Sequence, residues 1–155
     1  MTRTPARGAN AARSGGAFER SFGAYIKGHE RYAVESQVRV PKGKPDGRLC
    51  IIDTVVHDRK AAERIVISCK SQTSQGSVEE KMIYELYQLS HLVGSNYCHR
   101  AYMVLLGSGF SGFRRFIMSP QFRIYCPKLA WGQSWDGVEI LGIDDMVTRI
   151  QRETL

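Results

Sequence analysis

Residues 65–82 read IVISCKSQTSQGSVEEKM. The run from Ile65 to Cys69 is apolar or small and suits a buried strand, yet it ends on Lys70. Gln72 follows two places later. A Ser/Gly-rich turn then leads into a helix that opens on Glu79 and Glu80. A strand that delivers a lysine toward the acid-rich start of the next helix decides how the flanking segments are read.

Upstream, residues 48–56 (RLCIIDTVV) form a second apolar, β-branched run with one acid, Asp53, inside it. Before that, YAVESQVRVP alternates: Val34, Val38 and Val40 face one way, and Glu35, Gln37 and Arg39 the other. Pro41 stops this strand, and KGKPDGR is a turn. HDRKAAE is a connecting loop, so His57 and Asp58 are expected on its surface. Phe18, Phe22, Tyr25 and Ile26 make one stripe of a helix over 17–29. Downstream of the opening stretch, Val78, Met82, Leu86, Leu89 and Val93 make the stripe of a helix over 77–93. HRAYMVLLG is an interior strand and VEILG a short one. Asp144 or Asp145 then caps a last helix. The aromatic and basic segment between these two strands has no clear period. The predicted order is αβββαβ with a C-terminal βα tail, a mixed four- to five-stranded sheet flanked by helices in the α/β (α+β) class.

The 155 residues suffice for one domain with a real core, and 43% of them are apolar. Residues 1–16, rich in Ala, Gly, Arg and Ser, read as a flexible basic arm before a single domain over 17–155. No stretch is long and apolar enough for a membrane span, and the N-terminus lacks an apolar signal core. Cys50, Cys69, Cys98 and Cys126 have no CxxC spacing, which favours free thiols in a reducing cytoplasm. The net charge of +7 suits a polyanionic partner.

A carboxylate inside a strand is costly without a partner. Ser68 and Lys70 share a face of their strand, and a hairpin pairing brings Asp53 to the same end of the sheet. An acid that binds a divalent metal beside a lysine suits phosphodiester hydrolysis: the metal activates water and offsets phosphate charge, and the lysine orients water or stabilises developing charge. An internal Asp53–Lys70 ion pair is the plain alternative, and buried pairs of that kind are poor stabilisers. No histidine–cysteine metal spacing, Gly-rich phosphate loop or G-x-S-x-G elbow is present.

The chain resembles the PD-(D/E)XK nucleases, the superfamily of many restriction endonucleases. The resemblance runs from about Phe18 to Met146 and lies in GGAFERSF, RLCIIDTVV, ISCKSQ and GSVEEK. It implies a restriction-endonuclease-like core in which Asp53 is the first motif acid and Lys70 the motif lysine. Gln72 is then the glutamine of a Lys-x-Gln extension, and Glu19 a helix-one glutamate that joins the metal site. Ser68 departs from the pattern, standing where the second acid is expected, and serine is a weak metal ligand beside a carboxylate. Glu79 is the first candidate to replace that acid. Glu80 is also explained by a Ser77-x-x-Glu80 capping box, and Glu85 is a third candidate.

The resemblance implies a Mg²⁺-dependent DNA endonuclease, with Mn²⁺ as substitute and no small-molecule cofactor. Its expected setting is cytoplasmic and nucleoid-associated, in restriction, homing or repair. Lys42, Lys44, Lys81, Arg114 and Arg115 are candidate phosphate contacts. One site per chain and two strands to cut point to a homodimer. A non-catalytic nucleic-acid-binding module that kept the fold and a junction-specific nuclease are the alternatives. Gln37 faces either the site or water.

Overall fold

A computed structural model describes residues 7–72, 78–117, 119–121, 134–135 and 137–155; within these, the side chains of 7–15, 78–80, 114, 117 and 134–135 are outside the description. In chain order the elements are α1 (Arg7–Lys27), β1 (Tyr32–Val40), β2 (Cys50–Asp58), β3 (Glu63–Ser71), α2 (Val78–Gly94) and β4 (Arg100–Leu106). A 3₁₀ turn (Ser108–Phe110) and α3 (Ser111–Ile117) follow, then β5 (Ser134–Trp135), β6 (Val138–Gly142) and α4 (Ile143–Gln151).

The strands form one mixed sheet in the order β1-β2-β3-β4-β6-β5. β1, β2 and β3 are an antiparallel meander because the connections between them are short. The α2 crossover makes β4 parallel to β3, and β6 is parallel to β4. The two-residue β5 adds a sixth strand at the far edge. The expected order and the mixed sheet with flanking helices are therefore present.

Two apolar layers sandwich the sheet. On one face Met82, Leu86, Leu89 and Leu92 of α2 meet Val66, Ala101, Met103 and Ile140. On the other, Phe22 and Ile26 of α1, with Met146 and Ile150 of α4, meet Val56, Ile65, Ile67 and Tyr102. Tyr25, assigned to the α1 stripe from its spacing, is 37% exposed instead.

Helix α1 begins ten positions before the expected start at 17 and takes in residues 7–16, read above as a flexible arm. Their alanines and arginines are strong helix formers, and the three glycines do not break the run. Asp144 and Asp145 lie in the first turn of α4, where they complement the helix dipole. The N-cap is Gly142, with no side-chain cap. Asp58 is not a surface turn residue. It ends β2, is buried, and takes a two-pronged bond from Arg31 at 2.9 and 2.6 Å. The amides of Lys60 and Ala61 also donate to it, closing the β2–β3 turn.

Strict alternation along β1 also fails. Tyr32 and Val34 belong to the α1 layer, but Val38 and Val40 belong to the α2 layer. The exchange falls at Gln37, whose φ is 55°. A left-handed residue turns the strand over, so even-numbered positions on either side of it face opposite layers. β2 does the same: Val56 packs in the α1 layer, and Cys50 and Ile52 in the α2 layer.

Candidate active site

Three elements meet where β2 parts from β3. The β2–β3 ladder is paired from Asp58↔Glu63 to Thr54↔Ile67 and stops there. Asp53 is the next residue of β2, half-buried at the mouth of the opening. The even positions of β3 face α2, where Val66 joins the apolar layer. Ser68 and Lys70 follow on that face, and both reach Glu85 of α2. Ser68 Oγ donates to Glu85 Oε1, and Lys70 Nζ lies 2.8 Å from Glu85 Oε2.

Asp53, Ser68 and Glu85 line one narrow cleft with Ile52, Val66 and Leu89. Its volume is about 20 Å³, room for a single water-sized occupant. Gln37 Nε2 donates to Asp53 Oδ1 at 3.2 Å. From the opposite layer Glu19 of α1 senses the same charges. Its carboxyl is held above its ordinary value chiefly by burial and next by the charge of Asp53; Glu85 raises it further and Lys70 lowers it. Burial likewise pushes the Cys69 thiol up to about 12, which leaves it un-ionised and inert between Ser68 and Lys70.

The donors are carboxylate and hydroxyl oxygens with a lysine among them. Hard oxygen ligands and a single-occupant cleft suit Mg²⁺ or Mn²⁺. Among the described residues no three His, Cys, Asp or Glu side chains are already gathered as a preformed metal cage. Glu85 is instead held by Ser68 and Lys70, so ion binding requires its carboxylate to be shared or turned.

Other residues singled out from the sequence lie elsewhere. Gln72 is buried, and its side-chain amide donates to Gly109 O at 3.1 Å. Its backbone exchanges bonds with Leu106 and Gly109, which ties the end of β3 to the loop after β4. The side chains of Glu79, Glu80 and Arg114 are outside the described residues. Lys42 and Lys44 sit on the β1–β2 connection, Lys81 is exposed on α2 and Arg115 is exposed on α3. Two wider clefts open at the other end of β3, around His57, Arg64, Asn96 and His99. There Arg100 is paired with Glu63 and His57 with Glu35, so neither cleft offers a set of free acids.

The weight of Glu85 was readable from helix geometry. At about 100° per residue it falls between Leu89 and Leu92, inside the buried arc of α2. An acid flanked by buried leucines within an apolar stripe is a stronger signal than acids in a first turn, which capping already explains.

The sequence pattern of the PD-(D/E)XK nuclease superfamily domain matches residues 18–150. No curated protein matches. The crystal structure of a protein of unknown function, AF1548, aligns with a TM-score of 0.46 at 11% identity. The alignment covers 82% of this chain and 57% of that one.

Proposed function

Since the chain belongs to the PD-(D/E)XK nuclease superfamily, we propose that it is a divalent-metal-dependent endonuclease that hydrolyses phosphodiester bonds of double-stranded DNA. The observation that carries this is the joint hold of Ser68 and Lys70 on Glu85 beside Asp53. Helix α2 thereby supplies, in space, the acid that β3 lacks at position 68.

Asp53 and Glu85 would hold Mg²⁺, or Mn²⁺ in its place, with Glu19 approaching from the α1 layer. The ion supplies an activated water and offsets charge on the scissile phosphate. Lys70 orients that water or the phosphate and stabilises charge as it develops. Ser68 fixes the carboxylate of Glu85 through its hydroxyl. Gln72 has a supporting part, holding the end of β3 so that Lys70 stays in place. Lys42, Lys44, Lys81, Arg114 and Arg115 supply phosphate contacts without base reading. A homodimer would place two such sites on the two strands of a duplex in the cytoplasm.

Plasmid DNA incubated with the protein and Mg²⁺ or Mn²⁺ tests this. Cutting by the wild type, and binding without cutting by Lys70→Ala, are the expected results. A wild type that binds duplex DNA but cuts no duplex or branched substrate would instead establish a non-catalytic binding module. Preference for branched over linear duplex would mark a junction nuclease with the same site.

A further inference from the structure

In the β1–β2 ladder the pairs Ser36↔Thr54 and Val38↔Ile52 are formed, and the residues between them, Gln37 and Asp53, are not paired. Three features coincide at this gap. Gln37 has a left-handed backbone in mid-strand, where a non-glycine residue is disfavoured. The hairpin exchanges its two faces there, so Val38, Val40, Cys50 and Ile52 fold onto the α2 layer. Pairing of β2 with β3 also ends one residue away, at Thr54. Gln37 is exposed, so no packing need accounts for its conformation. Its side chain nevertheless turns back to give an amide hydrogen to Asp53 Oδ1.

We propose that Gln37 is a positioning residue for the metal-binding acid: its left-handed backbone opens the sheet at Asp53, and its amide fixes one carboxylate oxygen so that the other faces the cleft. A carboxylate oriented by a neighbouring donor binds a cation without first losing its rotamer freedom. The inference rests on the metal site proposed above and adds to it the residue that sets the aim of Asp53. A mere bend in the hairpin would need the backbone of Gln37 but not its amide.

The test uses the full chain, with Mn²⁺ binding followed by the paramagnetic resonance of the free ion and melting followed without metal. Gln37→Met keeps the length and removes the amide; Gln37→Gly also removes the left-handed penalty. Both variants are expected to weaken Mn²⁺ binding by about tenfold. Gln37→Gly is expected to melt no more than about 3 °C below the wild type. Ala62→Gly relieves another left-handed residue, in the β2–β3 turn, and is expected to leave Mn²⁺ binding unchanged. Wild-type Mn²⁺ affinity in both Gln37 variants would overturn the positioning role and leave the nuclease proposal standing. Equal weakening in Ala62→Gly, or a fall in melting temperature that matches the lost affinity, would also overturn it. A wild type that neither binds Mn²⁺ nor cuts DNA would remove the metal site itself.

Discussion

Glu85 Oε2 lies 2.8 Å from Lys70 Nζ, so the lysine that ends β3 is paired with an acid of helix α2 and not with the strand acid Asp53. The same carboxylate accepts from Ser68. A single helical side chain therefore meets both Ser68 and Lys70. Glu85→Gln keeps the shape and removes the charge. We expect it to reduce DNA cleavage by at least about 100-fold, while Glu79→Gln stays within a few-fold of the wild type. Initial rates on supercoiled plasmid check this. A larger loss in Glu79→Gln would move the role to the first turn of α2.

Lys70 also compensates the acids around it. Lys70→Met leaves Glu85 with Ser68 but without its charge partner, with Asp53 and Glu19 near by. In a site about a quarter exposed, the loss should be roughly 1–2 kcal/mol in metal-free protein. Mg²⁺ should return part of it by replacing the missing positive charge. For the wild type, saturation at 100 times the dissociation constant corresponds to about 2.7 kcal/mol of added stability. Thermal melts with and without Mg²⁺ measure both effects, and Asp53→Asn should show little response to the ion.

The acid limb of stability should report Asp58. The Arg31 guanidinium and the turn amides hold its carboxyl down at about 2, against 3.8 when unperturbed. A depressed folded-state value means that the native protein releases this proton more readily than the unfolded chain. The stabilisation is complete above pH 3.8 and is lost as pH falls through that range toward 2. After allowance for solvent screening it amounts to about 1 kcal/mol. Denaturant unfolding of Asp58→Asn against the wild type should show a gap at pH 6 that narrows toward pH 2.

Among the described glycines, Gly107 is where an added methyl group would meet the closest obstacle. Its φ is 104°, and a Cβ there would lie 2.2 Å from the carbonyl oxygen of Gln72. Gly107→Ala should cost at least about 2–3 kcal/mol, from backbone strain and displacement of the β3 terminus. Because Gln72 anchors the strand that carries Lys70, cleavage should fall even below the melting temperature. Circular dichroism melts and cleavage assays at 20 °C below the midpoint separate the two losses.

Asp53 and Lys70 stand out as charges within apolar strands, and the meander and the α2 crossover were legible because apolar periodicity is a local signal. The start of α1 was not, since an Ala/Arg-rich segment has the composition of a loose arm as much as of a helix. The exchange of faces at Gln37 was also hidden. Alternation assumes an even pleat, and a left-handed glutamine carries no compositional mark. Glu79 and Glu80 stand out by their closeness in sequence to the serine, whereas Glu85 is marked only by helical phase, which carries its side chain to Ser68 and Lys70.

β1 is an outermost strand of the sheet, and among the described residues no strand pairs with its outer rim of amides and carbonyls. A straight rim of that kind would invite a neighbouring molecule to extend the sheet. The reversal at Gln37 interrupts the rim between Ser36 and Val38, so it does not present one straight row of amides and carbonyls. Self-association through this border is thereby discouraged, so the homodimer proposed above would join through helices or loops. A cysteine introduced by Ser36→Cys should accordingly stay reduced between copies under mild oxidation.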